Sequence, residues 1–159
     1  GMSEVLRSSV KDKLAAGGVV SSMTVRLAPS VDIVQIIKSA GFDTFYIDLE
    51  HSPLSIETAN NLASAAHLAG NDGFARVPAN TPDYVLRVLD AGCLGVIAPG
   101  VESADEARAV VEVAKYAPVG KRSVSGPLPQ TGYRAIPDLY ETVNAATTVV
   151  VMFREPGGP

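Results

Sequence analysis

Three joints between a predicted helix and a predicted strand repeat one pattern, in which an Ala-Gly pair ends the helix shortly before the strand begins. The pairs are Ala40-Gly41, Ala69-Gly70 and Ala91-Gly92. Glycine commonly ends helices in the left-handed conformation, and strand–helix–strand repeats form right-handed βαβ units around a parallel sheet. The pattern therefore predicts an α/β fold, with about five parallel strands and flanking helices.

Each predicted strand is a short apolar run, as expected when helices cover both faces of a parallel sheet. Strands are expected at Val19 to Leu27, from Thr44, at Gly73 to Val77, at Gly95 to Val101 and at Val149 to Phe153. This repeat fits either an open doubly wound sheet or a partial TIM barrel. A complete (β/α)₈ barrel typically needs ~250 residues.

Helix boundaries are predicted from capping residues and apolar stripes. Ser30 is expected to cap a helix whose buried face includes Ile36, and Thr81-Pro82 is expected to start another. The sequence Ser103-Ala104-Asp105-Glu106 is a capping box, which predicts a third helix. Further helices are expected in residues 3–16, 56–70 and 137–146.

The composition indicates one globular domain over residues 1–159, because 47% hydrophobic and 19% charged residues support a buried core. The net charge of −4 argues against nucleic acid as a partner. No apolar run reaches the ~18 residues that a membrane helix needs. Cys93 is the only cysteine, so we expect a core position for it, no internal disulfide and a cytoplasmic protein.

The stretch from Thr44 to Pro53 begins as a buried strand and ends in two carboxylates and a histidine. Parallel α/β proteins place their chemistry at the carboxyl ends of such strands. Asp48, Glu50 and His51 are therefore candidates for proton transfer and for binding a hard cation. The alternative is that the two carboxylates are solvated and that His51 only caps the loop.

Polar side chains that follow the other strands are expected at the same edge of the sheet. Arg76 ends the third strand, Glu102 follows the fourth, and Arg154-Glu155 follows the fifth. Because arginine can hold a carboxylate or stabilise an enolate oxygen, this group suits chemistry on a small anionic carbonyl compound. Arg76 could instead simply pair with a neighbouring carboxylate.

Other features are predicted to lie elsewhere or to shape the site. His67 falls within a helical pattern, which favours a surface or packing role. Asp90 lies in the last turn of its helix, at the opposite end of the domain, so a role for it would be in a neighbouring subunit's site. The segment from Ala117 to Ile136 is expected to be a long loop near the site, where it would shape specificity.

Five motifs follow one another along nearly the whole chain, from about the first strand to the fifth. They are Asp48-Leu49-Glu50-His51-Ser52-Pro53, Arg76-Val77-Pro78, Val88-Leu89-Asp90-Ala91-Gly92, Ile97 to Ala107, and Tyr116 to Ser123. In this order they resemble the HpcH/HpaI aldolase/citrate lyase family, the metal-dependent class II pyruvate aldolases.

The resemblance implies a (β/α)₈ barrel that retains a divalent metal, Mg²⁺ or Mn²⁺. It also implies that the protein makes or breaks the carbon–carbon bond beside the pyruvate part of 4-hydroxy-2-oxo acids. By position, His51 is similar to the family's general base. Arg76 resembles the arginine that binds pyruvate and stabilises its enolate, and Asp90 matches an aspartate associated with proton transfer by the histidine.

The family's metal ligands are the part of the pattern that this sequence does not repeat. In the family's Gln-x-Glu motif after the fifth strand the Glu binds metal, but here Met152 matches the Gln and Arg154 matches the Glu. A one-residue slip would bring Glu155 to the ligand position. The second ligand, an aspartate in a Gly-Pro-x-Asp turn, has no counterpart, so the comparison implies a barrel truncated after its fifth strand.

Three functional hypotheses remain open. The first is a pyruvate-enolate aldolase that acts on a small keto acid, and the second is decarboxylation of oxaloacetate through the same enolate. The third is a non-catalytic α/β module that associates with itself or with another chain to cover its open sheet edges. Since exposed sheet edges tend to be covered, a homo-oligomer is expected.

Overall fold

A computed structural model describes residues 6–158 as a five-stranded parallel sheet flanked by helices. The strands are β1 (Ser22–Val25), β2 (Thr44–Asp48), β3 (Asp72–Arg76), β4 (Gly95–Val101) and β5 (Thr148–Phe153). They are hydrogen-bonded in chain order, and each neighbouring pair is parallel. A doubly wound sheet needs a point where the strand order reverses, and this sheet has none. The predicted partial barrel of five parallel strands is confirmed.

Helices alternate with the strands after β1. They are α1 (Ser9–Ala15), α2 (Asp32–Ser39), α3 (Ile56–Ala69), α4 (Pro82–Asp90), α5 (Ala104–Ala114) and α6 (Leu139–Ala146). In βαβ units each helix runs back against the strands, so α2 to α5 begin at the carboxyl end of the sheet and finish at its amino end. Among residues 6–158, no helix is both long and apolar enough to cross a membrane.

The core lies between the sheet and α2 to α5. Phe45 and Ile47 of β2, Leu62 of α3 and Leu89 of α4 are fully buried. Burying a side chain of this size contributes about 1.5–3 kcal/mol, so this contact dominates the stability of the fold. Cys93 is in the same core, as predicted, and burial raises the pKa of its thiol to about 12.

Two helix starts at the carboxyl end of the sheet are fixed by serine caps. Ser55 Oγ accepts the N–H of Thr58 at 3.2 Å at the start of α3. Ser103 Oγ accepts the N–H of Glu106 at 3.1 Å at the start of α5, as the predicted capping box requires. The reciprocal bond differs from the prediction, because the Glu106 carboxylate accepts the N–H of Glu102. Each serine cap contributes about 1 kcal/mol.

Of the other two predicted helix starts, the Ser30 cap is wrong and the Thr81-Pro82 start is confirmed. Helix α2 begins one residue later than expected, after Val31, whose apolar side chain makes no capping bond. Ser30 Oγ accepts a long, 3.4 Å bond from the N–H of Asp32, the first residue of α2. Thr81 does occupy the residue before α4, and Pro82 the first helical position as predicted, but the Thr81 hydroxyl makes no capping bond.

The β1 edge of the sheet also differs from expectation. β1 has four residues instead of the stretch from Val19 to Leu27, since an edge strand has a partner on one side only. Ile36 of α2, predicted to be buried, is 60% exposed, whereas Ile37, predicted for the same face, is buried. α1 is shorter than the predicted helix over residues 3–16, of which residues 3–5 lie outside the described part.

The segment from Ala117 to Ile136 lies at the amino end of the sheet, so its predicted position near the site is wrong. It follows the C-terminus of α5, which finishes at that end. Gln130, in a 3₁₀ helix over Pro129–Thr131, donates a 2.6 Å bond to the carbonyl of Leu89, the penultimate residue of α4. The segment is therefore partly ordered and packed beneath the sheet, away from the strand ends that carry the candidate site.

Candidate active site at the carboxyl end of the sheet

The buried carboxylate of Asp48, the last residue of β2, lies at the centre of the polar groups at this end. Arg76 Nη2 donates to its Oδ2 at 2.6 Å, and Arg76 Nε donates to its Oδ1 at 3.2 Å. The β2–β3 register places the two residues opposite each other. Arg76 therefore does pair with a neighbouring carboxylate, which is the contact that the alternative to a substrate-binding role requires. The alternative of a solvated Asp48 is wrong, because its side chain is fully buried.

The ionisation of this pair follows from competition between burial and hydrogen bonding. Burial alone raises the pKa of Asp48, but hydrogen bonds from Arg76 and from the backbone N–H groups of His51 and Glu50 outweigh it. The resulting pKa is below the ordinary value. The hydrogen bond that Arg76 donates to Asp48 raises the pKa of the Arg76 guanidinium. The guanidinium also lies 5.6 Å from the centre of the Tyr46 ring, a cation–π distance.

The turn after β2 is built on Asp48 itself. Its Oδ1 accepts the backbone N–H groups of Glu50 and His51, each at 3.0 Å. The Ser52 hydroxyl donates to the Asp48 carbonyl, and Ser52 Oγ accepts the N–H of Leu54 at 3.2 Å. Asp and Ser side chains form such local bonds in turns, and here they fix where the Glu50 and His51 side chains begin.

The Glu50 carboxylate lies close to both His51 and Arg76, the candidate base and the candidate anion-binding residue. Its Oε1 lies 3.1 Å from His51 Nε2 and 3.6 Å from Arg76 Nε. The imidazole is mostly exposed, so a small molecule can reach it, whereas the guanidinium is largely enclosed. His51 is not merely a loop cap, since its bonds to the turn are made by backbone atoms and its ring is left at the mouth of the sheet.

Arg26 is a residue that sequence analysis missed. It directly follows β1, its Nε lies 3.5 Å from Asp48 Oδ2, and its Nη2 donates a 2.6 Å bond to the carbonyl of His51. The rule that identified Arg76, a polar residue at the carboxyl end of a strand, would also have identified Arg26. Two arginines therefore flank one buried carboxylate, and one of them holds the histidine's backbone.

A cavity of about 400 Å³ opens beside Glu50 at the carboxyl ends of β3, β4 and β5. Asn80, Pro99 and Gly100 line it, together with Arg154. Its volume lies within the range of small-molecule sites. A larger cavity of about 620 Å³ lies between α5 and β5 on the outside of the sheet, away from these polar groups. Of these two cavities, the smaller one adjoins the candidate site, because Glu50 forms part of its lining.

Asp90 and His67 are not brought to this end of the sheet. Asp90 ends α4, at the amino end, where Arg122 Nη2 donates to its Oδ1 at 2.8 Å. His67 lies in the last turn of α3, also at the amino end, and is partly buried. Burial, with a smaller contribution from Arg134, lowers the pKa of His67. Its position agrees with the packing role predicted for it.

The sequence profile of HpcH/HpaI aldolase/citrate lyase matches residues 23–154. The chain belongs to this family. It is 38% identical over 151 residues to the 4-hydroxy-4-methyl-2-oxoglutarate aldolase cghB of Chaetomium globosum, covering 93% of this chain and 56% of that protein. It is 31% identical over 147 residues to the 4-hydroxy-2-oxo-heptane-1,7-dioate aldolase of Salmonella arizonae, covering 92% and 56%. The chain thus spans about half the length of the curated relatives it matches.

Solved structures of the HpcH/HpaI family agree with this fold. The crystal structure of HpcH/HpaI aldolase from Desulfitobacterium hafniense superposes with a TM-score of 0.85 at 33% identity, over 92% of this chain and 56% of that one. The HpcH/HpaI aldolase/citrate lyase family protein from Burkholderia cenocepacia gives a TM-score of 0.78 at 28% identity, over 91% and 58%. The described strands and helices therefore form part of a larger barrel architecture in the family.

The HpcH/HpaI aldolases are metal-dependent, but the described residues of this chain do not form a matching ligand set. No group of three or more His, Cys, Asp or Glu side chains within residues 6–158 is arranged to hold a metal ion. The Asp48 carboxylate is occupied by arginine and backbone donors. Arg154 places a cation after β5, and Glu155 next to it is exposed. The predicted metal-ligand role of Glu155 stays a prediction.

Proposed function

We propose that this chain forms the pyruvate-binding part of an aldolase site, which cleaves 4-hydroxy-2-oxo acids through the enolate of pyruvate. The observation that carries the proposal is that one carboxylate, Glu50, lies next to both His51 and Arg76. A proton acceptor and an anion-binding group thus lie beside the same side chain. The names of the relatives, which are aldolases of 4-hydroxy-2-oxo acids, support the same reaction class.

In this proposal Arg76 binds the carboxylate and the 2-oxo oxygen of the substrate. Its contact with Asp48 uses Nε and Nη2, and a guanidinium has five N–H donors in all. Asp48 holds the arginine in place and keeps it charged. The positive charge then stabilises the negative charge that develops on the enolate oxygen when the bond breaks.

His51 moves the proton. Its ring takes the proton of the C4 hydroxyl, the C4 oxygen forms a carbonyl, and the C3–C4 bond breaks. The electron pair of that bond becomes the pyruvate enolate, which is then protonated at C3 to give pyruvate. Glu50 is positioned to accept the N–H at Nε2, which leaves Nδ1 as the atom that receives the substrate proton.

Three further elements of the proposal rest on the resemblance. A divalent metal, Mg²⁺ or Mn²⁺, would polarise the 2-oxo group, and Glu155 is the nearest described candidate to the family's ligand position. Asp90 would act only through a second copy of the chain, because its own His51 is at the other end of the sheet. The protein would accordingly be a homo-oligomer, and sedimentation of the wild type tests that element.

Pyruvate release from 4-hydroxy-4-methyl-2-oxoglutarate, with and without Mg²⁺ or Mn²⁺, tests the reaction. Both fragments of that compound are pyruvate, so the signal is doubled. We expect His51→Asn to lower kcat/KM by roughly 10²–10⁴-fold, and Arg76→Lys by roughly 10²-fold. His67→Asn, the same change at the chain's other histidine, should leave the rate unchanged.

Failure of this assay has two distinct meanings. If the wild type binds pyruvate but releases none from any 4-hydroxy-2-oxo acid or from oxaloacetate, the chain is the non-catalytic α/β module. The mismatch between Arg154 and the family's metal ligand favours that second candidate. If pyruvate does not bind at all, the proposed site is wrong.

A further inference from the structure

Three neighbouring strands end in residues of alternating charge. The register of β1 and β2 brings Arg26, which directly follows β1, beside Asp48 at the end of β2. Arg76 ends β3 and pairs with Asp48 from the other side. Arg26 Nε lies 3.5 Å from Asp48 Oδ2, which directs the Arg26 side chain across the end of β2. The side chain therefore reaches from the edge strand to the turn that carries His51.

The backbone of His51 is held on both sides of its Cα. Its N–H donates a 3.0 Å bond to Asp48 Oδ1, and its carbonyl accepts a 2.6 Å bond from Arg26 Nη2. Within residues 6–158, no backbone N–H bonds to this carbonyl. A hydrogen bond from a guanidinium is charge-assisted and stronger than one between neutral groups. Arg26 therefore fixes the carbonyl side of His51, while Asp48 fixes the amide side.

The His51 ring itself has little packing to hold it. Its side chain is 63% exposed, and Glu50 Oε1 lies 3.1 Å from its Nε2. Glu50 belongs to the same turn, so a movement of the turn moves the ring and its partner together. The placement of the imidazole relative to Arg76 therefore depends on the bonds that tie this turn to the strands. Misplacement of a reacting group by about 1 Å can lower a rate by roughly 10²-fold.

We propose that Arg26 is a positioning residue for proton transfer by His51, because its bond to the His51 carbonyl ties the turn after β2 to the edge strand β1. This inference rests on the proposed function and adds a residue that acts through His51 rather than on the substrate. Arg76 makes its two bonds to Asp48 independently of Arg26. Loss of Arg26 is therefore expected to slow the reaction without weakening pyruvate binding.

Pyruvate release from 4-hydroxy-4-methyl-2-oxoglutarate with Mg²⁺, together with calorimetric titration of pyruvate, tests this inference. We expect Arg26→Gln to lower kcat by about tenfold, because the turn loses its tie to β1. The Kd for pyruvate should stay within about twofold of the wild-type value, since solvent screens the exposed ion pair of Arg26 with Asp48. Arg26→Lys should recover most of the lost rate, because an ammonium group also donates to a carbonyl.

Arg108→Gln is the matched control, since Arg108 is an exposed arginine on α5 that also pairs with a carboxylate. It should keep the wild-type kcat and the wild-type Kd for pyruvate. An unchanged kcat in Arg26→Gln overturns the positioning role. A loss of kcat/KM that comes wholly from weaker pyruvate binding also overturns it, because Arg26 then acts through its charge. Wild-type protein that releases no pyruvate overturns the proposed function, and the inference with it.

Discussion

The two ends of the sheet each carry an arginine–aspartate pair, and the two pairs are buried in opposite ways. At the carboxyl end Asp48 is fully buried and the side chain of Arg76 is 16% exposed. At the amino end the side chain of Arg122 is fully buried and that of Asp90 is 27% exposed. The shortest contact distances are similar, 2.6 Å and 2.8 Å, so distance alone does not distinguish the pairs.

The difference indicates which member of each pair is available to another molecule. At the carboxyl end the buried anion holds a partly open cation, which suits the binding of an anionic ligand. At the amino end a buried cation, stacked 4.6 Å from the Tyr116 ring centre, holds a partly open anion. Of the two pairs, only the first therefore has its cation as the partly exposed member.

The largest expected effect comes from removing the open member of a pair, since that leaves an uncompensated buried charge. Arg76→Met should lower the free energy of unfolding by about 3 kcal/mol, and Asp90→Asn by a similar amount. Urea unfolding measures both values. Replacing the buried member of each pair instead, by Asp48→Asn or Arg122→Met, should lower the free energy of unfolding by less than replacing its partner. Equal costs within each pair would remove the distinction between buried and open members.

The pH dependence of stability sharpens the comparison for the carboxyl end. Because the folded-state pKa of Asp48 is lowered, its charged form adds stability above its unfolded pKa of about 3.9. That stability is lost as the pH falls through the folded-state value. Wild type should therefore exceed Asp48→Asn in unfolding free energy at pH 7, and the gap should close in acid. A gap that stays constant down to pH 2 would show that the carboxylate's ionisation is not its source.

The serine caps at the carboxyl end give a smaller effect with an internal control. Ser55→Ala and Ser103→Ala should each lower the free energy of unfolding by about 1 kcal/mol, because each removes a bond to a helix N-terminus. Thr81→Ala at the start of α4 should change it by only a few tenths, since Thr81 makes no capping bond. Thermal or urea unfolding of the three variants measures these losses. A loss for Thr81→Ala as large as those for the serine variants would contradict the role given to the capping bonds.

The smallest effect is expected from Arg26, the second arginine near Asp48. More than half of its side chain is exposed and its Nε is 3.5 Å from the carboxylate, so Arg26→Gln should cost only about 0.5 kcal/mol. Because Arg26 also donates a bond to the His51 carbonyl, its replacement should speed proton exchange in the turn after β2. Proton exchange at the backbone amides after β2 would reveal it. Unchanged exchange there would restrict Arg26 to a surface role.

Most of this end of the sheet could be predicted from the sequence, because parallel strands deliver their last residues to one edge. That rule brought His51 and Arg76 to the same carboxylate, Glu50, and the apolar run from Gly95 to Val101 predicted the observed bounds of β4. It failed where the answer depends on tertiary neighbours. The burial of Asp48 depends on its pairing with Arg76 and Arg26 at the ends of other strands, and the stretch from Thr44 to Pro53 does not itself specify these partners.

The segment after α5 shows a different limit. Its glycines, prolines and basic residues indicated a functional loop, but composition does not say at which end of a sheet a loop lies. The direction of α5 does show the end. Because α5 runs antiparallel to the strands, the segment that follows it begins at the amino end of the sheet. The side chain of Arg122, in this segment, is buried against Asp90 as a result.

Titration of ¹⁵N-labelled protein with pyruvate, with the arginine side-chain and histidine ring signals followed by NMR, tests the central claim most directly. We expect the signals of Arg76 and His51 to shift in proportion to pyruvate bound, while Arg122 and His67 at the amino end stay unchanged. Shifts at the amino end with none at Arg76 and His51 would contradict the assignment of the keto-acid site to the carboxyl end of the sheet.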